Sequence, residues 1–219
     1  MTSYAKDAGL RLGSAIRARR HLLGMTLVEV AASARLSHPF LSQLERGLAR
    51  PSMRSLTAIA STLGTTAQAL MAASELATVP ASGPASEPVS IVTHVTDEVA
   101  SIDSPGGSVR PLVRGGERAM LPVEFNGAPR DFDEYYRHGG EEFVYVVRGL
   151  IEVDIEGELH PAAAGDSIYY SGGFRHRWRS LSDEEVRLVV VQQNLPPSAH
   201  QQNQAPYRSL RGAPGHEPN

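Results

Sequence analysis

The 219-residue sequence contains no cysteine, which excludes disulfide bonds and thiolate metal sites. It also has no run of about eighteen apolar residues that could span a membrane, and its N-terminus lacks the apolar core of a secretory signal. Common motifs of phosphate binding and nucleophilic catalysis are missing too: Gly-x-Gly-x-x-Gly, the phosphate loop and Gly-x-Ser-x-Gly. From these absences we expect a cytoplasmic protein that does not associate with membranes.

Acidic residues are scarce in the first third of the chain. Residues 1–71 contain nine Lys and Arg against three Asp and Glu, a net charge of +6, although the whole chain has a formal net charge of −3. Such an asymmetry between the two parts of a chain suggests that the basic part meets a polyanion.

Two short apolar periodicities within residues 26–47 predict two helices joined by a tight turn. Thr26 and Ser37 precede the two apolar runs, where each can cap a helix by accepting from free backbone N–H groups. Gly47 follows the second run, where a left-handed C-cap would fall. The turn is too short for antiparallel packing, so the helices must cross, which predicts a helix-turn-helix.

The second of these helices exposes its N-terminal end, which contacts base edges in DNA-binding versions of the motif. Gln43 can hydrogen-bond adenine through two atoms, and Ser42 or His38 can donate or accept. The predicted DNA contacts are Thr26, Ser37, His38, Pro39, Phe40, Ser42, Gln43, Arg46 and Arg50. A helical bundle without a nucleic-acid role is the alternative, because helical hairpins are common.

The segments FLSQLERG (residues 40–47), RPS (residues 50–52) and IASTLG (residues 59–64) resemble the Cro and phage-repressor type of DNA-binding domain, also called the XRE family. The resemblance covers roughly residues 10–71. It implies five short helices, double-stranded operator DNA as the partner, and an ion pair between Glu45 and Arg20.

Composition divides the remainder of the chain. Ala, Ser and Pro dominate residues 72–88, which predicts an extended linker. Residues 89–195 carry short β-branched and aromatic runs separated by turn residues, which predicts a sandwich or barrel. Residues 196–219 are polar and rich in Pro, Gln and Asn, which predicts a disordered tail. The predicted fold class is therefore α plus all-β, with a five-helix bundle at residues 1–71 and an antiparallel barrel after the linker.

The predicted strands share β-branched or aromatic content and flanking turn residues. They are Val89–Val95, Val109–Arg114, Met120–Phe125, Phe143–Arg148, Ile151–Ile155, Ser167–Tyr170 and Arg187–Gln192.

Two segments of the barrel region, YYRHGGEEFVYVVRG (residues 135–149) and GDSIYYSGGFRHRW (residues 165–178), resemble the two motifs of the cupin superfamily, a small jelly-roll barrel. The resemblance implies that His138, Glu142 and His176 are metal ligands. Two histidines and a carboxylate can hold Fe(II), Zn, Mn or Ni. Alternatively, His138 and Glu142 hydrogen-bond each other in a polar pocket without metal, and the sequence leaves both interpretations open.

Aromatic residues near these motifs predict a ligand pocket. Tyr136 stands where cupins usually carry their first histidine, and Trp178 is the last residue of the second segment. We predict that Tyr136, Val144 and Trp178 line the pocket, although aromatic residues inside a barrel are often only core.

Together the two resemblances imply a sequence-specific transcription regulator. Its helices would bind operator DNA, and its barrel would sense a small-molecule effector and pair two subunits. A homodimer would read two half-sites about one DNA turn apart, and we expect a repressor. A signal from barrel to helices requires that the two domains touch, because a flexible linker alone cannot transmit it.

Two alternatives belong to other classes of protein. A small helical domain followed by a cupin with His-x-x-x-Glu and a distant His resembles the hydroxypropylphosphonate epoxidases, which would make the chain a non-haem iron enzyme. That family draws a lysine into its site from the helical domain, but this sequence has Gly24 at the matching place. The other alternative is an adaptor whose helical domain binds protein instead of DNA.

Overall fold

The computed structural model describes residues 3–74, 90, 92, 102–104, 106–115 and 118–195. Within these ranges the N-terminal part forms five helices, as the sequence predicts. They are α1 (Ser3–Leu22), α2 (Leu27–Ser33), α3 (His38–Glu45), α4 (Met53–Thr62) and α5 (Ala67–Ser74). None of the described helices is long and apolar enough to cross a membrane.

Hydroxyl side chains fix the starts of the helices. Thr26 Oγ1 accepts from the backbone N–H of Glu29 at 3.2 Å, and the Glu29 carboxylate accepts from the backbone N–H of Thr26 at 2.7 Å. This reciprocal pair is a capping box. Ser37 and Ser52 cap α3 and α4 through their hydroxyl groups, which accept from the backbone N–H groups of Phe40 and Ser55. Gly47 has a φ of 69°, so the predicted left-handed C-cap is confirmed.

The first and third helices approach each other closely around Gly13. A Cβ atom at Gly13 would lie 2.3 Å from the carbonyl oxygen of Leu44, so only glycine fits this crossing. Beside the crossing, Arg20 donates two hydrogen bonds of 2.7 Å to Glu45, and both side chains are buried. The ion pair implied by the family resemblance is therefore confirmed, and it holds α3 against α1.

The C-terminal part forms nine antiparallel strands within the described residues. They are β1 (Ile102–Ser104), β2 (Gly107–Pro111), β3 (Met120–Gly127), β4 (Glu141–Arg148), β5 (Leu150–Ile155), β6 (Glu158–Ala163), β7 (Ser167–Ser171), β8 (His176–Ser180) and β9 (Arg187–Gln193). One sheet has the order β1-β2-β3-β9-β4-β7 and the other the order β6-β5-β8. Val144 and Val190 of the larger sheet share a buried core with Ile151 and Val153 of the smaller. The predicted fold class is confirmed.

Most predicted strands overlap β2, β3, β4, β5, β7 and β9, while β1, β6 and β8 were not predicted as strands. Strand β6 contains Pro161, which lowers its strand signal but is tolerated because β6 lies at the edge of its sheet. Strand β8 is rich in arginine. Its register on β5 places Arg177 opposite Asp154 and Arg179 opposite Glu152, so the charges are paired across the strands.

Several predicted segments fall outside the described residues. The predicted strand Val89–Val95 is described only at Ser90 and Val92, and the predicted tail at residues 196–219 is not described. Of the predicted linker, residues 72–74 belong to α5 and residues 75–88 are not described. The helix continues to Ser74 because its last turn is buried against the barrel.

The helical bundle and the barrel contact each other directly. Ala69 and Ala72 of α5 form a buried cluster with Leu121 of β3, and Val113 packs against this cluster. The backbone N–H of Gly115 donates to the carbonyl oxygen of Ala72 at 2.9 Å. The contact that a barrel-to-helix signal requires is therefore present.

Candidate functional site

Most of the predicted DNA contacts are accessible at the surface of the bundle. Leu41 and Leu44 bury the apolar face of α3, which turns its polar face outward. Thr26, Ser37, His38, Pro39, Gln43, Arg46 and Arg50 are exposed, and Phe40 and Ser42 are half-buried. Glycine at position 13 and the buried Arg20–Glu45 pair hold this helix in place from behind.

The three predicted metal ligands come together at one end of the barrel. His138 precedes β4, Glu142 lies on β4, and His176 begins β8. One ligand atom from each residue lies within 4.8 Å of the other two. His138 Nε2 is 2.8 Å from Glu142 Oε2, and His176 Nε2 is 3.8 Å from Glu142 Oε1. Within the described part of the chain, no other group of three such residues has this spacing.

Backbone carbonyl groups orient both imidazole rings. Nδ1 of His138 lies 3.0 Å from the carbonyl oxygen of Gly139, and Nδ1 of His176 lies 2.9 Å from that of Phe174. A carbonyl oxygen only accepts, so each Nδ1 carries the hydrogen and each Nε2 faces Glu142. Histidine ligands of metals commonly have this arrangement, in which the second ring nitrogen donates to a backbone carbonyl. The donor set thus fits a divalent metal.

Burial and mutual charge set the protonation states of the cluster. Burial acts to raise the pKa of Glu142, but the charge and hydrogen bond of His138 outweigh it and hold that pKa at about 2. Burial acts to lower the pKa of His138, but the Glu142 carboxylate raises it. For His176 burial dominates, and its pKa is lowered. At neutral pH the cluster therefore offers the Glu142 carboxylate and the neutral His176 imidazole, which are metal-binding forms, whereas the raised pKa of His138 favours its protonated form, and a metal would have to displace that proton.

Two residues that the sequence analysis did not single out support this cluster. The hydroxyl group of Tyr170 donates to Glu142 Oε1, and burial keeps the pKa of Tyr170 well above its usual value. Gly172 leaves room for His138, since a Cβ at position 172 would lie 2.2 Å from the imidazole ring. Tyr170 is opposite Glu142 in the β4–β7 register. Its contact with Glu142 could therefore be predicted only from the pairing of the two strands.

A cavity of about 380 Å³ opens beside the metal-ligand cluster. Its barrel side includes His138, Glu142, His176, Phe125, Tyr136, Trp178 and Gln192. Its other side is formed by the bundle, through Met53, Thr57 and Ser61 of α4 and residues 64–68 at the turn into α5. The cavity therefore lies between the two domains.

The predicted pocket residues occupy different places. Tyr136 and Trp178 line the cavity, and Tyr136 also exchanges two backbone hydrogen bonds with His176. Burial raises the pKa of Tyr136, so its phenol stays protonated at neutral pH. Val144 is fully buried in the barrel core, and the cavity lining does not include it.

Comparison with known proteins identifies both parts of the chain. A model of the helix-turn-helix family (HTH_3) matches residues 16–70, and a model of the cupin domain family (Cupin_2) matches residues 124–192. Over 62 residues the chain is 39% identical to the HTH-type transcriptional regulator DdrOP3 of Deinococcus deserti, which covers 28% of this chain and 48% of that protein. The chain is therefore an XRE–cupin protein, in which a helix-turn-helix domain of the XRE type precedes a cupin domain.

Two further relatives of this XRE–cupin protein stand out. Over 108 residues it is 33% identical to the Polyketide synthase CurC of Streptomyces cyaneus, covering 46% of this chain and 70% of that protein. The crystal structure of a helix-turn-helix family transcriptional regulator from Vibrio cholerae aligns over 86% of this chain and 98% of that chain. Its TM-score is 0.60 at 18% identity, which shows a shared fold.

Gln192 is a cavity residue of the XRE–cupin protein that the sequence analysis missed. It continues the inward-facing row of Leu188 and Val190 on β9, and it is only 1% exposed. Its Oε1 atom has no hydrogen-bond partner among the described residues. A polar residue in an otherwise apolar inward row is a sequence signal that could have revealed it.

Proposed function

We propose that this DNA-binding regulator recognises a specific operator through α3 and that its cupin barrel senses a small-molecule effector with the help of a divalent metal, acting as a repressor. The observation that carries the proposal is the cavity between the domains. It meets the metal-ligand cluster on one side and helices of the DNA-binding bundle on the other. An effector bound there contacts both domains at once.

The DNA side of the proposal rests on α3. Its exposed Gln43 can read a base edge, and the exposed Arg46 and Arg50 can contact phosphates. The net charge of +6 over residues 1–71 favours a polyanionic partner. We assign base reading to Gln43, Ser42 and His38.

The effector side rests on the metal-ligand cluster. His138, Glu142 and His176 would hold Fe, Zn, Mn or Ni and leave coordination positions open toward the cavity. The bound metal would supply a Lewis-acid site for an oxygen ligand. The protein orients both imidazoles through Gly139 and Phe174. An effector changes operator affinity only if it binds two arrangements of the bundle and barrel with different affinity.

We also propose a homodimer joined through the barrels. The outer face of the larger sheet exposes Phe143, Tyr145 and Tyr169, which are 36%, 40% and 67% exposed. Phe143 and Tyr169 are direct cross-strand neighbours. A contiguous exposed aromatic patch of this kind is typical of a protein interface, and a dimer would present two α3 helices to the two halves of an operator.

Selection from a random library of double-stranded DNA tests the proposal. We expect enrichment of a palindromic sequence by the full-length protein. Gln43→Ala should relax the preference at one position of each half-site, whereas Arg50→Ala should weaken binding to all sequences about equally and reduce the salt dependence. If neither the wild-type protein nor its variants show salt-sensitive binding to any duplex, the proposal is wrong.

A metal-dependent cupin enzyme is the second candidate, and one observation favours it. The match to the Polyketide synthase CurC covers 70% of that protein, and the cluster of His138, Glu142 and His176 borders a cavity large enough for a substrate. Oxygen consumption by the iron-loaded protein with candidate polyketide or hydroxyalkylphosphonate substrates separates the two functions, because a regulator would bind ligand without turnover.

A further inference from the structure

The residues that line the cavity between bundle and barrel indicate which class of ligand it can bind. On the barrel side, its polar groups include the cluster of His138, Glu142 and His176 and the side-chain amide of Gln192. Glu142 and Gln192 are directly opposite each other on β4 and β9. A ligand that binds the cluster through one atom can therefore contact Gln192 through a neighbouring atom.

The ligand atom next to Gln192 must be a hydrogen-bond donor, because Gln192 Oε1 has no partner among the described residues. This oxygen is buried and only accepts hydrogen bonds. A buried acceptor without a partner is costly, and known proteins rarely leave one. A ligand hydroxyl group that donates to Gln192 satisfies it. The ligand thus combines a metal-binding oxygen with a hydroxyl group on an adjacent atom.

The walls of the cavity specify the remainder of the ligand. Phe125 and Trp178 form an edge-to-face pair with ring centroids 5.2 Å apart, and both line the cavity. Met53 of α4 lines the opposite side, where Thr57 and Ser61 also face the space. Aromatic and thioether walls favour a flat apolar body, and a volume of about 380 Å³ limits it to a small molecule.

We propose that this cavity is a single ligand site shared by the bundle and the barrel, and that it takes a small aromatic hydroxy acid. The carboxylate reaches the metal held by His138, Glu142 and His176, the hydroxyl group donates to Gln192 Oε1, and the ring extends toward α4. The inference rests on the proposed regulator function and names its effector class. It also makes α4 the part of the DNA-binding bundle that detects the ligand.

Mandelate and phenylacetate form a matched pair of probes, because they differ only by the hydroxyl group. Titration calorimetry with the full-length Co²⁺-loaded protein should give at least tenfold tighter binding of one mandelate enantiomer than of phenylacetate. Gln192→Leu removes the acceptor and should reduce this ratio to about one. Gln192→Met serves as a second variant of different shape, so that misfolding of one does not decide the result.

A second pair of variants tests the contribution of the bundle. Ser61→Leu places a larger side chain in the cavity from α4 and should weaken mandelate binding at least tenfold while leaving Co²⁺ affinity unchanged. Ser14→Leu makes the same chemical change at an exposed position of α1 that does not line the cavity, and it should have no effect.

Equal affinities for mandelate and phenylacetate, or no mandelate binding at millimolar concentration, would overturn the ligand assignment. An unaltered affinity in Ser61→Leu would overturn the shared site. Operator affinity, measured by fluorescence anisotropy with and without mandelate, distinguishes a wrong ligand assignment from a wrong proposed function. Mandelate that binds as expected but leaves operator affinity unchanged supports the ligand site and argues against the regulator.

Discussion

Gly172 shows how a single residue determines the shape of the metal-ligand cluster. The imidazole of His138 occupies the space where a side chain at position 172 would begin, with its nearest atoms 2.2 Å from an added Cβ. His138 also owes its orientation to the carbonyl group of Gly139. The ring cannot move aside without losing this hydrogen bond or its position beside Glu142.

We therefore expect Gly172→Ala to weaken metal binding by about tenfold to a hundredfold, the usual effect of disturbing a residue that positions a ligand. His176→Ala, which removes a ligand, should abolish stoichiometric binding. Both effects can be measured by Co²⁺ titration followed by visible absorption. Ser171→Ala, a neighbouring change without steric conflict, is the control. Wild-type affinity in Gly172→Ala would contradict the assigned ligand geometry.

The sequence predicted His138, Glu142 and His176 because motif spacing is local information. It did not predict Tyr170 or Gln192, because their roles depend on cross-strand register, which joins residues 28 and 50 positions from Glu142. Val144 illustrates the same limit. Val144 shares the inward face of β4 with Glu142, but the cavity extends from Glu142 toward the bundle and does not reach Val144.

At the scale of elements, the crossing of α1 and α3 sets the position of α3, the helix that we propose reads DNA. Two glycines of α1 face the region of α3 and its C-cap, but at different distances. A Cβ at Gly13 would lie 2.3 Å from the carbonyl oxygen of Leu44, whereas a Cβ at Gly9 would meet nothing closer than 3.5 Å, at the carbonyl oxygen of Gly47. Only Gly13 is required by close packing.

Gly13→Ala should lower the free energy of unfolding by about 2 kcal/mol, because the clash with backbone outweighs the better helix propensity of alanine. Gly9→Ala should be neutral or stabilise the protein by up to about 1 kcal/mol. Urea unfolding followed by circular dichroism measures both. Equal effects at the two positions would show that the α1–α3 crossing tolerates a methyl group.

The sequence predicted the helix ends correctly, because they depend on interactions between residues that are close together in the chain. Caps at Thr26, Ser37 and Ser52 and the glycine at position 47 define helix ends through neighbouring atoms. Strand β8 was missed because its arginines reduce its apparent strand propensity, and only the acidic residues of β5 opposite them explain why it pairs. Such compensation between strands is not visible within one segment.

At the scale of the whole molecule, the contact between α5 and β3 joins the two domains, and the proposed signal from barrel to bundle would have to cross this interface. The interface consists of Ala69 and Ala72 against Leu121, with Val113 packed at its side. The exposed ion pair between Arg54 and Glu134 also crosses between the domains, but a pair of this exposure contributes only about 0–1 kcal/mol. We therefore expect the apolar cluster to contribute more to the association of the two domains than this exposed ion pair.

Val113→Asp tests this coupling with little risk to either fold, because Val113 is only partly buried and lies in the loop after β2. A charge against the apolar cluster should separate the domains, since an ionised carboxylate is costly to bury without a partner. We expect one thermal transition for the wild-type protein and two for Val113→Asp, and we expect the effect of Co²⁺ and mandelate on operator affinity to fall to less than twofold in the variant. Leu159→Asp introduces the same charge at a position of β6 that is 51% exposed and should change neither property. If Val113→Asp keeps one transition and full coupling, the signal does not pass through this interface, and ligand contacts with α4 would then carry it alone.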